Sequence, residues 1–156
     1  PNPAQRIAPI AASHTDAMSV FLHEFGHAIA FNGWEALAAS ATPNNFLSPW
    51  DELVTHDGEH TFFHGLSSEN LYGGPIPVTN QNNFHIGNLS DPGSDLIPDL
   101  MNGMLFYKET RYFISALDLA IISDLGVAVI PEPSTYALFF SGLIAIGCLE
   151  VKKHHQ

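Results

Sequence analysis

Residues 20–34 read VFLHEFGHAIAFNGW, an apolar run interrupted by two histidines and a glutamate. At about 100° per residue in a helix, His23 and His27 lie roughly 40° and one turn apart, so both rings project from one side. They are placed to share one metal ion. Glu24 is turned roughly 100° from His23, close enough to bond a water on that ion and too far round to be the natural third ligand. Its carboxylate suits a general base. The pattern predicts a helix from about Thr15 to Phe31, with Ser13 or Thr15 as N-cap, Asp16 in the first turn and Gly33 as the stop. Met18, Phe21, Leu22, Phe25 and Ile29 cluster on the side opposite the histidines and are expected to anchor the helix. Val20, Ala30 and Phe31 add apolar surface in front, so the polar groups need a cation or hydrogen-bond partners. The ordinary alternative is a core helix whose histidines find such partners without a metal.

The rest of the composition narrows the chemistry. A chain of 156 residues that is 46% hydrophobic supports one domain with a modest core. It opens at Pro1 without a signal segment, which reads as the later part of a longer precursor. With 5 basic against 16 acidic residues, the net charge of −11 argues against a nucleic-acid partner. The single cysteine, Cys148, lies in an apolar tail, so any metal must be held by His, Asp or Glu.

Downstream, Asp57-Gly58 in LVTHDGEHTFF is a hairpin signal, with strands expected near 52–56 and 59–63. YGGPIPVT reads as an extended edge or loop, because Pro75 and Pro77 cannot donate to a ladder. Residues 80–105 read as irregular loop. A second helix is expected at SALDLAIISDLG, where Ser115 and Asp118 have capping-box spacing and Gly126 ends the run. A catalytic zinc takes three protein ligands and keeps one position open. The third ligand is open among His14, His56, His60, His64, His85 and Glu52. His56, His60 and His64 have helical spacing, but Asp57-Gly58 turns them into strand or surface residues, and His14 lies at the wrong end of the helix.

The segments HEFGH, FNGW, YGGPIPVT, HIGN, DLMNG and RYFISALDLAIISDLG together resemble zinc metallopeptidases of the metzincin-like group. The likeness is to the leishmanolysin-related branch, in which a long insertion separates the helix from the third histidine. The compact pattern of that group puts a glycine and a histidine where this chain has Ala30 and Gly33, so the inserted form is the one that fits. The resemblance spans about residues 13–127. It implies an α+β, zincin-like domain over 1–130: an active-site helix, a hairpin, a long loop with a turn at Met101, and a second helix. A sheet ahead of the active-site helix, usual in such domains, has no residues here to form it. It further implies zinc held by His23, His27 and His85, with Glu24 taking the proton of the attacking water and passing it to the leaving amine. Gly26 would let the Met101 turn approach. Tyr107 and Tyr112 are oxyanion candidates, with plain packing as the alternative. Asp91, Asp95 and Asp99 suggest a calcium loop or, more simply, a solvated acidic one.

The end of the chain, VIPEPSTYALFFSGLIAIGCLEVKKHHQ, resembles a PEP-CTERM sorting signal. The resemblance implies a second segment over 131–156, an exosortase-type partner, membrane contact through 136–149 as a transmembrane-like helix, and export to a Gram-negative envelope or cell surface. The apolar run falls short of the roughly 20 residues that cross a bilayer comfortably, and Lys152-Lys153 follow it. The functional expectation is an exported zinc endopeptidase. The alternative is a non-catalytic surface or matrix protein that keeps the zinc-binding scaffold, and the presence of Glu24 favours the enzyme.

Overall fold

The computed structural model describes residues 9–34, 47–88 and 94–130. Helix α1 spans Ala17–Ile29 and is capped by Asp16, whose carboxylate accepts from the Ser19 N–H at 3.0 Å and the Ser19 hydroxyl at 2.8 Å. The same carboxylate takes the Arg111 guanidinium at 2.8 Å. Ser13 and Thr15, the expected caps, lose to a residue that serves the helix and a distant cation at once. The helix also ends well before Gly33: the Ala30 and Phe31 N–H groups both donate to the Gly26 carbonyl, at 3.0 and 3.1 Å, and the chain turns there. Gly33 has a different role. A Cβ on it would lie 2.5 Å from Asp51 Oδ1 and 2.8 Å from Ser48 Oγ, so only glycine lets the next helix start against it.

That helix, α2 (Pro49–Leu53), was not expected from the sequence. Ser48 and Asp51 cap it reciprocally, with Pro49 opening the first turn. Strands β1 (Val54–Asp57) and β2 (His60–Phe63) form the expected hairpin, pairing Asp57 with His60 across Gly58 and Glu59, and Gly58 has φ 74°. The short β3 (Ile76–Pro77) pairs antiparallel with β2, giving the order β1-β2-β3. Helix α3 (Leu66–Tyr72) lies between β2 and β3, and its cap Gly65 has no side chain to offer. Asp124 supplies the acceptor instead, taking the Ser67 and Ser68 N–H groups at 2.9 and 2.8 Å. Helix α4 (Ala116–Asp124) has the expected Ser115 and Asp118 capping box and ends before Gly126, which has φ 85°. Between β3 and α4 the described chain is irregular apart from the bridges Val78 to Ile86 and Ile86 to Asn102.

Phe31, Trp50 and Phe63 pack ring to ring at 5.3 and 4.9 Å, with Ile76, Val78, Ile86, Leu100, Met101 and Ile121 around them. Helix α1 gives this core its histidine side: Ser19, His23 and Gly26 are its buried residues. The expected anchor is therefore reversed for all but Leu22, which packs against the core. Met18, Phe21, Phe25 and Ile29 are 56, 65, 52 and 39% exposed. The reason is that Gly26 admits Met101 and Ser19 bonds to Tyr112 on the same side as His23, which pulls that side inward. Four helices with a three-stranded antiparallel sheet make a mixed α and β chain among the described residues. No described helix is long and apolar enough to cross a membrane, and the 131–156 segment, with its 136–149 run and Cys148, lies outside the described residues.

Candidate metal centre

The helix brings His23 and His27 together, and the loop after β3 brings His85 onto them. The Nε2 atoms of His23 and His27 are 3.2 Å apart, and each is 3.0 Å from Nε2 of His85. Among the described residues this is the group of side chains close enough to hold a metal ion. His14, His56, His60, His64 and Glu52 are not part of it. His56 Nδ1 meets the Thr61 hydroxyl, His64 meets Thr55 and Glu69, and the His14 ring turns back to the Ala12 carbonyl.

The other nitrogen of two of these rings is committed. His23 donates its Nδ1–H to the Leu100 carbonyl at 2.8 Å, and His27 donates its own to the Phe31 carbonyl at 2.8 Å. In neutral rings that tautomer leaves a bare lone pair on each Nε2, pointing at the other ligands. Lone pairs at such distances repel unless a cation or a ring N–H lies among them. A triangle with these edges has a point roughly 2.1 Å from all three nitrogens and about 1 Å off their plane, which is the Zn–N bond length. Three imidazole nitrogens at this spacing can hold one metal ion. Burial pushes the His23 imidazole below its ordinary pKa, opposed by the Leu100 carbonyl. Burial, then the neighbouring His27 and His23, pushes His85 down to about 4. Both rings therefore favour the neutral, ligating form.

The group opens into a cleft of about 280 Å³ lined by Val20, His23, Glu24, Asn82, His85 and the Asn102–Phe106 segment. Glu24 is exposed and lines the cleft from the helix that carries two of the ligands. Beneath the helix, Met101 is 1% exposed and presses on Gly26, where a Cβ would overlap its Sδ. Phe106 meets the His23 ring edge-on at 5.2 Å and stacks on Tyr112 at 4.5 Å. Tyr112 packs rather than facing the cleft: its hydroxyl accepts from the Tyr107 N–H and donates to the Leu105 carbonyl. Tyr107 lines a separate apolar hollow with Arg111 and Phe113. Of the expected acidic loop, Asp91 lies outside the described residues. The sequence reading missed the supports of the site, the Leu100 and Phe31 carbonyls and Asn102. Backbone acceptors leave no mark in side-chain spacing; Asn102 had only its place in DLMNG to draw attention to it.

No protein-family model, curated protein or solved structure matches this chain.

Proposed function

We propose that this chain is a zinc-dependent endopeptidase of zincin-like fold, with His23, His27 and His85 as ligands and Glu24 as the general base. The observation that carries the reading is the convergence of three Nε2 atoms, two of them left as bare acceptors by their Nδ1 hydrogen bonds, beside a cleft that a carboxylate flanks. Zinc held there by His23, His27 and His85 would supply a Lewis acid to polarise a peptide carbonyl and lower the pKa of water. The chain's own residues supply the proton transfer and the positioning. The Glu24 carboxylate takes a proton from the attacking water and delivers it to the departing amine nitrogen, with no covalent intermediate on the protein. Its place one residue after His23 on a regular helix holds it beside the ligands. Val20, Met104, Leu105 and Phe106 line the open cleft with apolar side chains on which a peptide can rest.

The tail reading belongs to the same proposal. Pro131-Glu132-Pro133, the apolar 136–149 run and Lys152-Lys153 support export to a cell envelope through an exosortase-type partner.

Glu24→Gln tests the mechanism. General-base loss should cut hydrolysis of a quenched fluorescent peptide by about 10²- to 10⁴-fold while bound zinc, measured by atomic absorption, stays the same. Full activity in the Gln variant would overturn Glu24 as the base. Zinc binding without hydrolysis by the unaltered protein would favour the non-catalytic scaffold.

A further inference from the structure

His85 differs from the other two ligands in its support. His23 and His27 are each aimed by a carbonyl on Nδ1, but Nδ1 of His85 is buried and meets no partner. Without that tie the ring is placed by the backbone that carries it and by its contacts with the His23 and His27 rings. The His85 N–H donates to the Asn82 carbonyl at 3.1 Å and its carbonyl accepts from the Thr79 N–H at 3.0 Å, and the next residue ties this turn to the loop of residues 97–105: the Ile86 N–H donates to the Met101 carbonyl at 3.0 Å, and the Gly103 N–H donates to the Ile86 carbonyl at 3.1 Å. Gly103 lies so close that a Cβ on it would be 2.6 Å from Cβ of His85. The same loop carries the Leu100 carbonyl that aims His23.

One side chain closes this loop. Asn102 is 3% exposed, and its amide makes four hydrogen bonds. Nδ2 donates to the Ile97 carbonyl at 3.2 Å and the Asp99 carbonyl at 2.7 Å. Oδ1 accepts from the Met104 N–H at 3.1 Å and the Leu105 N–H at 2.9 Å. Both donors and both acceptor sites of the amide are used, so it ties residues on either side of Leu100 and Met101 into one unit.

We infer that Asn102 is the positioning residue of the metal centre: through the 97–105 loop it sets the Leu100 carbonyl for His23 and the backbone that presents His85. The inference rests on the metal reading above and not on peptide hydrolysis. A buried asparagine that merely stabilises the fold would leave the centre unchanged once the protein is folded.

The test is metal binding by Asn102→Asp and Asn102→Ala, with Ser68→Ala as control. Asp keeps the acceptor for Met104 and Leu105 but loses both donors, and Ser68 is a fully buried hydroxyl bonded to Gly65 and Asp124 away from the centre. Zinc affinity, from competition with a chromophoric chelator, should fall about 10- to 100-fold in the Asn102 variants and stay within about twofold in Ser68→Ala. The visible bands of the cobalt(II)-loaded protein should weaken and shift in the Asn102 variants alone. A variant too unstable to fold without metal is titrated with zinc under circular dichroism, and a folding midpoint at the zinc concentration where Ser68→Ala saturates overturns the inference. Unchanged affinity and spectrum in Asn102→Asp, or an equal loss in Ser68→Ala, also overturns it. Absence of peptidase activity leaves the result standing; absence of zinc binding by the unaltered protein removes the metal reading and this inference together.

Discussion

At the residue scale the contact between Gly26 and Met101 is the tightest point of the site. Glycine in a helix interior costs about 1 kcal/mol relative to alanine, so Gly26→Ala on an open helix would stabilise. Here the added methyl overlaps Met101 Sδ and comes within 3.0 Å of its Cε, in a side chain that is 1% exposed. Overpacking of that kind costs about 1–3 kcal/mol and outweighs the propensity gain. Urea unfolding should show Gly26→Ala to be less stable than the parent, and Met101→Ala should cost less in the Gly26→Ala background than alone. Additive effects in that double-mutant cycle would mean the two side chains do not compete for one space. How much of the site the sequence shows also divides at this scale. His23, Glu24 and His27 are legible because a helix converts a four-residue spacing into proximity. His85 came only through a resemblance, since nothing in its own neighbours sets a distance to residue 23. The carbonyls of Leu100 and Phe31 were illegible because every residue has one.

At the element scale, local signals were legible and remote ones were not. Ser115 and Asp118 announced α4, and Ser48 and Asp51 carried the same signal for α2, which went unread in a stretch rich in Asn, Pro and Ser. Helix α3 had no such signal to read, because its N-terminal acceptor comes from Asp124. The start of α1 combines both kinds. Asp16 caps it locally, while Arg111 ties it to the segment that leads into α4. The Arg111 guanidinium bonded to Asp16 holds that carboxyl down at about 2, against an ordinary 3.8. A carboxyl depressed in the folded state contributes stability that is complete above its unfolded pKa and lost as the pH falls through its folded one. Thermal unfolding should therefore show stability draining between about pH 4 and pH 2, with the slope reduced in Asp16→Asn, which keeps a capping oxygen but cannot ionise. An Asn variant with the parent's acid slope would show that the loss comes from other carboxyls. The clamp of Thr55, His64 and Glu69, at 2.8 and 2.7 Å, joins the hairpin to α3 in the same remote fashion.

At the scale of the whole molecule, the site and the outer surface of α1 pull the helix in opposite directions. A helix that places two ligands, a glycine for Met101 and a buried Ser19 inward has no inward room for its other apolar residues. Phe21 and Phe25 stack on each other at 6.4 Å and face out with Met18 and Ile29. Hydrophobic pattern alone assigned that stripe to the core, as it does for most amphipathic helices. It failed here because the functional side chains, not the greasiest ones, decide which side of α1 is buried. Contiguous exposed apolar surface of this kind promotes association even on a chain whose −11 net charge opposes it. Phe21→Lys with Phe25→Glu, an i, i+4 pair of opposite charge, should raise the concentration at which light scattering detects association. Because neither ring belongs to the core of the described residues, unfolding free energy should change by no more than about 0.5 kcal/mol and zinc affinity should hold. A large loss of stability in that double variant would instead mean that the stripe is buried in the folded chain.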